Sequence, residues 1–243
     1  MKFAGTLILA VLLCLHSARA AEQVDLALVL VTDVSRSIDD SEYDLEKKGT
    51  GAAFLDPAVL NAIHNGPNGA IAVAYVEFAG ESQVRTVIGF TIIRDFETAR
   101  DFAEKLGELP RSFAGRTAIS SGIDAAVKLL GELPFEATRH VIDVCGDGTN
   151  NAGRNINDAR DDALKQGIVI NGLTIINDRP VNYNFAHVAP AGGLTNWYRE
   201  HVIGGPGSFV LEVHDFQSFG RAMRRKLISE IASLLSAGTE HHS

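Results

Sequence analysis

Hydrophobic positions along the chain follow two alternating rhythms. Short, nearly continuous apolar runs rich in Val and Ile occupy Asp25 to Thr32, Ala70 to Ala79, Gln83 to Ile93, Arg139 to Cys145, Ile168 to Ile176 and Ser208 to Val213. Runs of this length and composition predict buried strands. Between them, apolar residues recur every three or four positions in Ser41 to Phe54, Asp95 to Leu106, Ala118 to Leu130 and Asn155 to Gln166, which predicts helices. The last segment, Phe216 to Leu235, sets Phe216, Phe219, Met223, Leu227, Ile231 and Leu234 on one helix face. Apolar strands alternating with helices predict an α/β fold of three layers, Rossmann-like, with a mostly parallel central sheet and helices on both faces. Only Gly80, Glu81 and Ser82 join the second strand to the third. A parallel crossover needs a dozen or more residues, so this pair reads as a hairpin that gives the sheet one antiparallel edge strand.

The rhythm fades between Asn177 and Gly207, which holds Pro180, Pro190 and Pro206 together with Tyr183, Phe185, Trp197 and Tyr198. Thr195 to Val202 predicts a short helix inside it. A connection this long in a compact fold is functional or locally folded. Its aromatics, Tyr183 and Phe185 among them, read either as a partner surface or as cover for the sheet edge.

The first twenty residues differ from the rest. Lys2 precedes a 13-residue apolar run, Phe3 to Leu15, and Ala18-Arg19-Ala20 closes the segment. A basic start, an apolar middle and an A-x-A end are the pattern of a secretory signal peptide, and the run is short of the roughly 20 residues that span a bilayer. Residues 21–243 then read as one domain, exported to the periplasm or secreted. Removing Lys2 and Arg19 moves the net charge from −8 to −10, and removing Cys14 leaves Cys145 alone, so no internal disulfide is expected. An acidic chain without a basic run is a poor match for nucleic acid. Hydrophobic residues at 46% against 21% charged suit a packed domain rather than a disordered one.

The candidate chemistry sits where strands end. The first strand runs into Asp33-Val34-Ser35-Arg36-Ser37, and the fourth delivers Gly146-Asp147-Gly148. In a parallel sheet both ends lie at the edge where ligands bind. Gly115-Arg116-Thr117 precedes a predicted helix and adds a hydroxyl. Taken singly, Asp-x-Ser-x-Ser and Thr117 fit helix N-caps, and Asp147-Gly148 fits a turn. Taken together, Asp33, Ser35, Ser37, Thr117 and Asp147 form an all-oxygen set of the kind that hard divalent cations prefer.

These residues resemble the metal-ion-dependent adhesion site of a von Willebrand factor type A (VWA) domain, and the resemblance extends along the element order of the chain, hairpin included. The segments Asp33 to Asp39, Val144 to Gly148 and Trp197 to Phe209 resemble more narrowly a group of exported bacterial proteins with this domain and no assigned function. The resemblance implies that Ser35, Ser37 and Thr117 supply hydroxyl ligands to Mg²⁺ (or Mn²⁺ or Ca²⁺), with Asp33 and Asp147 binding directly or through water. It implies a protein-binding module, not an enzyme, whose unidentified protein partner completes the coordination with an acidic side chain. Arg36 departs from the family, where a small residue is common. It either weakens cation binding or points outward and assists an acidic partner. The alternatives in other classes are a metal-assisted hydrolase drawing on Asp143 or His140, and an envelope scaffold protein.

Other residues read as structural. Asp39 with Glu42 has capping-box spacing. Asp143 inside an apolar strand requires a buried ion pair or a strand-end water. Cys145 reads as core. No zinc-type His spacing, dinucleotide fingerprint, P-loop or nucleophile elbow is present, and Asp147 to Asp158 lacks the glycine that a calcium loop needs at Ala152.

Overall fold

A computed structural model describes residues 22–176 and 190–237. The expected signal segment, residues 1–20, and the aromatic pair Tyr183 and Phe185 lie outside the described residues. Strands β1 (Gln23–Asp33), β2 (Ile71–Phe78), β3 (Val84–Ile93), β4 (Glu136–Gly146), β5 (Val169–Ile175) and β6 (Val210–Val213) form one sheet in the order β3-β2-β1-β4-β5-β6. Every neighbouring pair is parallel except β2 and β3. The hairpin between them closes with Gln83 N–H donating to Gly80 at 2.8 Å and Ala79 N–H donating to Gln83 at 2.8 Å.

Helices α1 (Asp40–Phe54), α2 (Pro57–His64), α3 (Phe96–Glu108), α4 (Ile119–Gly131), α5 (Ile156–Lys165), α6 (Leu194–His201) and α7 (Phe219–Ala237) cover both faces. Alternation along β1 decides the sides, because successive strand residues point opposite ways. Leu26, Leu28 and Leu30 meet Phe54, Phe102, Phe219 and Leu227 from α1, α3 and α7. Ala27, Val29 and Val31 meet Ile119, Ile123, Ala159 and Tyr198 from α4, α5 and α6. A strand buried on both faces has no polar side, which is why β1 reads as a continuous apolar run. Of the α7 face, Phe216, Phe219, Met223, Leu227 and Ile231 are buried, with Phe216 in a preceding 3₁₀ turn. Among the described residues no helix is long and apolar enough to cross a membrane.

Two local readings are corrected. Helix α2 was absent from the expected elements although Asp56 caps it and Pro57 begins it, an arrangement with a clear physical signature. At α4 the N-cap is Ala118, with no side-chain capping bond, so the reading of Thr117 as an N-cap fails. Its hydroxyl is turned elsewhere, as described below.

Helix α4 lies close on the sheet because Gly122 has no side chain. A Cβ there would come within 2.6 Å of Val31 Cγ1 and 3.0 Å of Phe78 Cδ1. Gly122→Ala is therefore expected to lower stability by about 1–3 kcal/mol through overpacking, read in urea unfolding. An unchanged midpoint would show that the helix can lift without cost.

Candidate metal centre

The chain leaves β1 for the helices on one side, and β4 later joins the other side of β1. The sheet order therefore reverses between these two strands, and their C-terminal ends open a crevice. Asp33 ends β1, and Asp147 follows β4 directly. The loop Asp33 to Ser37 is held in place by backbone bonds to two other segments, and a third bond ties the start of α4 to the end of β2. Val34 N–H donates to Phe78 at 2.8 Å, Arg36 N–H donates to Gly115 at 3.0 Å, and Ala118 N–H donates to Ala79 at 2.7 Å. Thr117 is fixed between Asn151 N–H, which donates to its carbonyl at 2.8 Å, and Asn151 Oδ1, which accepts from its N–H at 3.0 Å.

The five side chains singled out in the sequence meet there through one chain of hydrogen bonds. Asp33 Oδ1 accepts from Ser35 N–H at 2.7 Å. The hydroxyls of Ser35 and Ser37 lie 3.0 Å apart. Ser37 Oγ donates to Asp147 Oδ1 at 2.7 Å, and Thr117 Oγ1 donates to Ser35 Oγ at 3.2 Å. Asp33, Ser35, Thr117 and Asp147 are buried, while Ser37 is half-buried and forms the exposed side of the cluster.

The electrostatics of the cluster favour a cation. Asp33 Oδ2 is buried and has no hydrogen-bond partner among the described residues. Burial first, then the charge of Asp147, pushes the Asp33 carboxyl up to about 8, against the opposing pull of the Ser35 donors and Arg111. A buried carboxylate short of donors is costly unless a proton or a positive charge meets it. The donor set therefore fits a hard divalent cation. It contains two carboxylates and three hydroxyls; no group of three or more His, Cys, Asp or Glu side chains converges here or elsewhere among the described residues.

Three supporting residues lay outside the expected set. Arg111, between α3 and α4, clasps the loop: its Nη2 donates to the Val34 carbonyl at 2.8 Å and also to that of Ser35, and its Nη1 reaches Asp40 at 3.3 Å. Glu46 is buried on the inner face of α1 beside the Cys145 thiol. Burial pushes it up to about 8, the thiol pulls it down, and the charges of Asp33 and Asp147 push it further up. Tyr198 of α6 brings its buried hydroxyl against Gly146, where a Cβ would sit 2.9 Å from Tyr198 Oη and 3.2 Å from Asp33 Oδ2. Gly146 is thus a close-approach glycine that makes room for the Asp33 carboxylate and the Tyr198 hydroxyl beside the end of β4.

The structural readings of the remaining residues hold. Asp39 accepts from Glu42 N–H at 2.8 Å and Glu42 accepts from Asp39 N–H at 2.9 Å, which is a capping box. Asp143 lies 2.8 Å from Lys226 Nζ in the interior, and Cys145 is buried. His140 pairs with Ala27 in mid-sheet.

A family model described as a protein of unknown function (DUF1194) matches residues 23–235. No curated protein matches the chain. Proximal thread matrix protein 1 from the mussel byssus, solved with zinc occupying its MIDAS motif, is 19% identical with a TM-score of 0.59, over 86% of this chain and 46% of that one. The pilus adhesin SpaC from Lactobacillus rhamnosus GG, in an open conformation, is 13% identical with a TM-score of 0.56, over 90% and 31%. A von Willebrand factor type A protein from Catenulispora acidiphila is 14% identical with a TM-score of 0.53, over 87% and 43%. The chain thus spans less than half the length of these solved chains, and they share its fold.

Proposed function

Because the chain belongs to the DUF1194 family of proteins of unknown function and carries the VWA fold, we propose that it is an exported, single-domain, divalent-metal-dependent protein-binding module. The observation that carries this reading is the chain of hydrogen bonds linking Asp33, Ser35, Ser37, Thr117 and Asp147 around a buried carboxylate oxygen. In this reading Ser35, Ser37 and Thr117 offer hydroxyl oxygens to the cation, and Asp33 and Asp147 offer carboxylate oxygens directly or through water. The preferred ion is Mg²⁺, whose hard character suits oxygen donors. Bound there, such a cation supplies a positive centre able to accept a carboxylate from a partner protein.

The chain's own residues prepare that centre. Arg111 holds the Val34 and Ser35 carbonyls and so fixes the backbone of the loop that carries the Ser35 hydroxyl. Two carboxylates neutralise a divalent charge only formally, and hydroxyl ligands add none, so the ion keeps its attraction for an incoming anion. The zinc-occupied MIDAS motif of the byssal matrix protein and the adhesin neighbour support the metal and binding parts of this reading at the level of the fold. Export rests on the basic, apolar and A-x-A pattern of residues 1–20.

Titration calorimetry of the purified protein with Mg²⁺ and Mn²⁺ tests the reading. Saturable heat is expected, together with a rise in melting temperature that EDTA reverses. No heat and no shift with either ion would remove the metal-dependent function.

A further inference from the structure

Beside the cluster stand two arginines that form no ion pair with a carboxylate among the described residues. Arg36 lies between Ser35 and Ser37, and Arg116 immediately precedes Thr117, so each adjoins a hydroxyl of the site. The Arg36 N–H to Gly115 bond, at 3.0 Å, laces their two loops together and makes the residues neighbours. Both are exposed. Arg116 is oriented by neutral oxygens alone: its Nη2 donates to the Asn151 carbonyl and its Nε to Asn151 Oδ1 at 3.4 Å. The Arg36 side chain has no hydrogen-bond or ion-pair partner among the described residues. The nearby Arg111 differs, because its guanidinium is committed to loop carbonyls and Asp40. Across the site, Asp39 caps α1 and Asp40 faces Arg111, so these acids are engaged.

In a chain of net charge −8, two exposed arginines with no ion-pair partner among the described residues stand at the rim of the proposed cation site. A positive charge so near a metal opposes cation binding unless an anion arrives with it. Guanidinium groups present forked donors that match a carboxylate in two-point fashion. We propose that Arg36 and Arg116 form an anion-docking pair, so that the ligand is an acidic protein segment with at least two neighbouring carboxylates. One carboxylate faces the cation and the next pairs with the guanidiniums. This rests on the metal-dependent reading above and adds to it the chemistry of the partner.

The test uses fluorescently labelled hexaglutamate as probe, with hexaglutamine as the neutral control, in Mg²⁺ and in EDTA. The unmutated protein is expected to bind hexaglutamate only in Mg²⁺, with affinity falling as salt rises, and to ignore hexaglutamine. Arg36→Ser with Arg116→Ala is expected to weaken hexaglutamate binding at least about tenfold, and Arg36→Lys with Arg116→Lys to restore much of the salt-dependent part. Calorimetry with Mg²⁺ alone separates the two ideas. The double variant should take up the ion as tightly as its parent or more so, because a repelling charge is gone. Hexaglutamate binding that is unaltered in the Ser/Ala variant, or absent from the unmutated protein while Mg²⁺ binds, overturns the arginine pair. Mg²⁺ uptake lacking while hexaglutamate still binds through the arginines overturns the metal reading and leaves the pair standing.

Discussion

Replacing Asp33 with Asn is expected to abolish detectable Mg²⁺ binding and yet raise the melting temperature of the metal-free protein above neutral pH. The amide oxygen can still accept from Ser35 N–H, so the loop keeps its bond. What disappears is a buried negative charge facing Asp147, the charge that a cation would otherwise offset. Losing an ionic ligand should weaken the ion by more than about 100-fold, since even supporting residues account for 10–100-fold at metal sites. The sign of the pH effect follows from burial, which raises the folded-state value of Asp33 from 3.8 to about 8. A raised carboxyl favours the folded state fully below its ordinary range, and that contribution is lost as pH climbs toward 8. Metal-free protein should therefore melt progressively lower between about pH 4 and pH 8. Asp33→Asn should flatten part of that fall, leaving the share due to Glu46 and Asp143, whose carboxyls burial also raises into this window. Parent and variant should coincide near pH 4 and differ by several degrees at pH 8.5. Melting curves in EDTA across this range check it, and a variant that melts lower than its parent at every pH would sink the argument.

The second large effect lies far from the crevice. Lys226 of α7 is wholly buried, 2.8 Å from Asp143 Oδ1 on β4 and 2.6 Å from Glu230 Oε1 one turn along its own helix. Asn171 of β5 donates to Glu230 at 2.9 Å, Arg139 donates to the Glu230 carbonyl at 2.9 Å, and the Phe209 ring lies 4.8 Å from the ammonium. Burial works against the ammonium, but Asp143 and Glu230 hold its pKa above the usual lysine value. Lys226→Met keeps the stem and removes the charge, stranding buried carboxylates without their lysine. Breaking a buried pair in this way costs about 3–5 kcal/mol. For a chain of this size that is a fall in melting temperature of roughly 10 °C. Adding Asp143→Leu and Glu230→Leu to the lysine change should recover most of the loss, because the remaining penalty is the unmatched charge and not the missing contact. Differential scanning calorimetry reads both, and a single variant that melts with its parent would mean that the cluster contributes nothing to stability.

Much of the architecture was legible because β1, β2 and the second half of β4 (Val141 to Gly146) are buried on both faces and cannot hide their apolar runs among polar residues. The hairpin followed from a connection too short for anything else. Helix α2 escaped because eight residues give barely two turns of periodicity, although Asp56-Pro57 announced its start. Asp33, Ser35, Ser37 and Asp147 were legible because strand ends fix them in the sequence, and Thr117 because it stands just before a helix; the structure places the five within one set of hydrogen bonds. Arg111 was not, since its partners are backbone carbonyls 77 and 76 residues away and backbone carbonyls leave no trace in sequence. Glu46 was concealed by its helix: it looks like one more acid after Asp39, Asp40, Glu42 and Asp44. Only the packing of α1 against Cys145 sets it apart.

The lacing of the Asp33–Ser37 loop to Phe78, Gly115 and the Arg111 side chain has a consequence for the speed of recognition. These bonds form when the domain folds, so the conformational entropy of the donor loop is spent then and not at each encounter. Ion capture at the proposed site would then need little rearrangement of protein, and its rate would be set by the water that the ion must shed. If the protein is exported as proposed, to where partners pass briefly and dilution is constant, a site assembled in advance converts a short collision into a bound state.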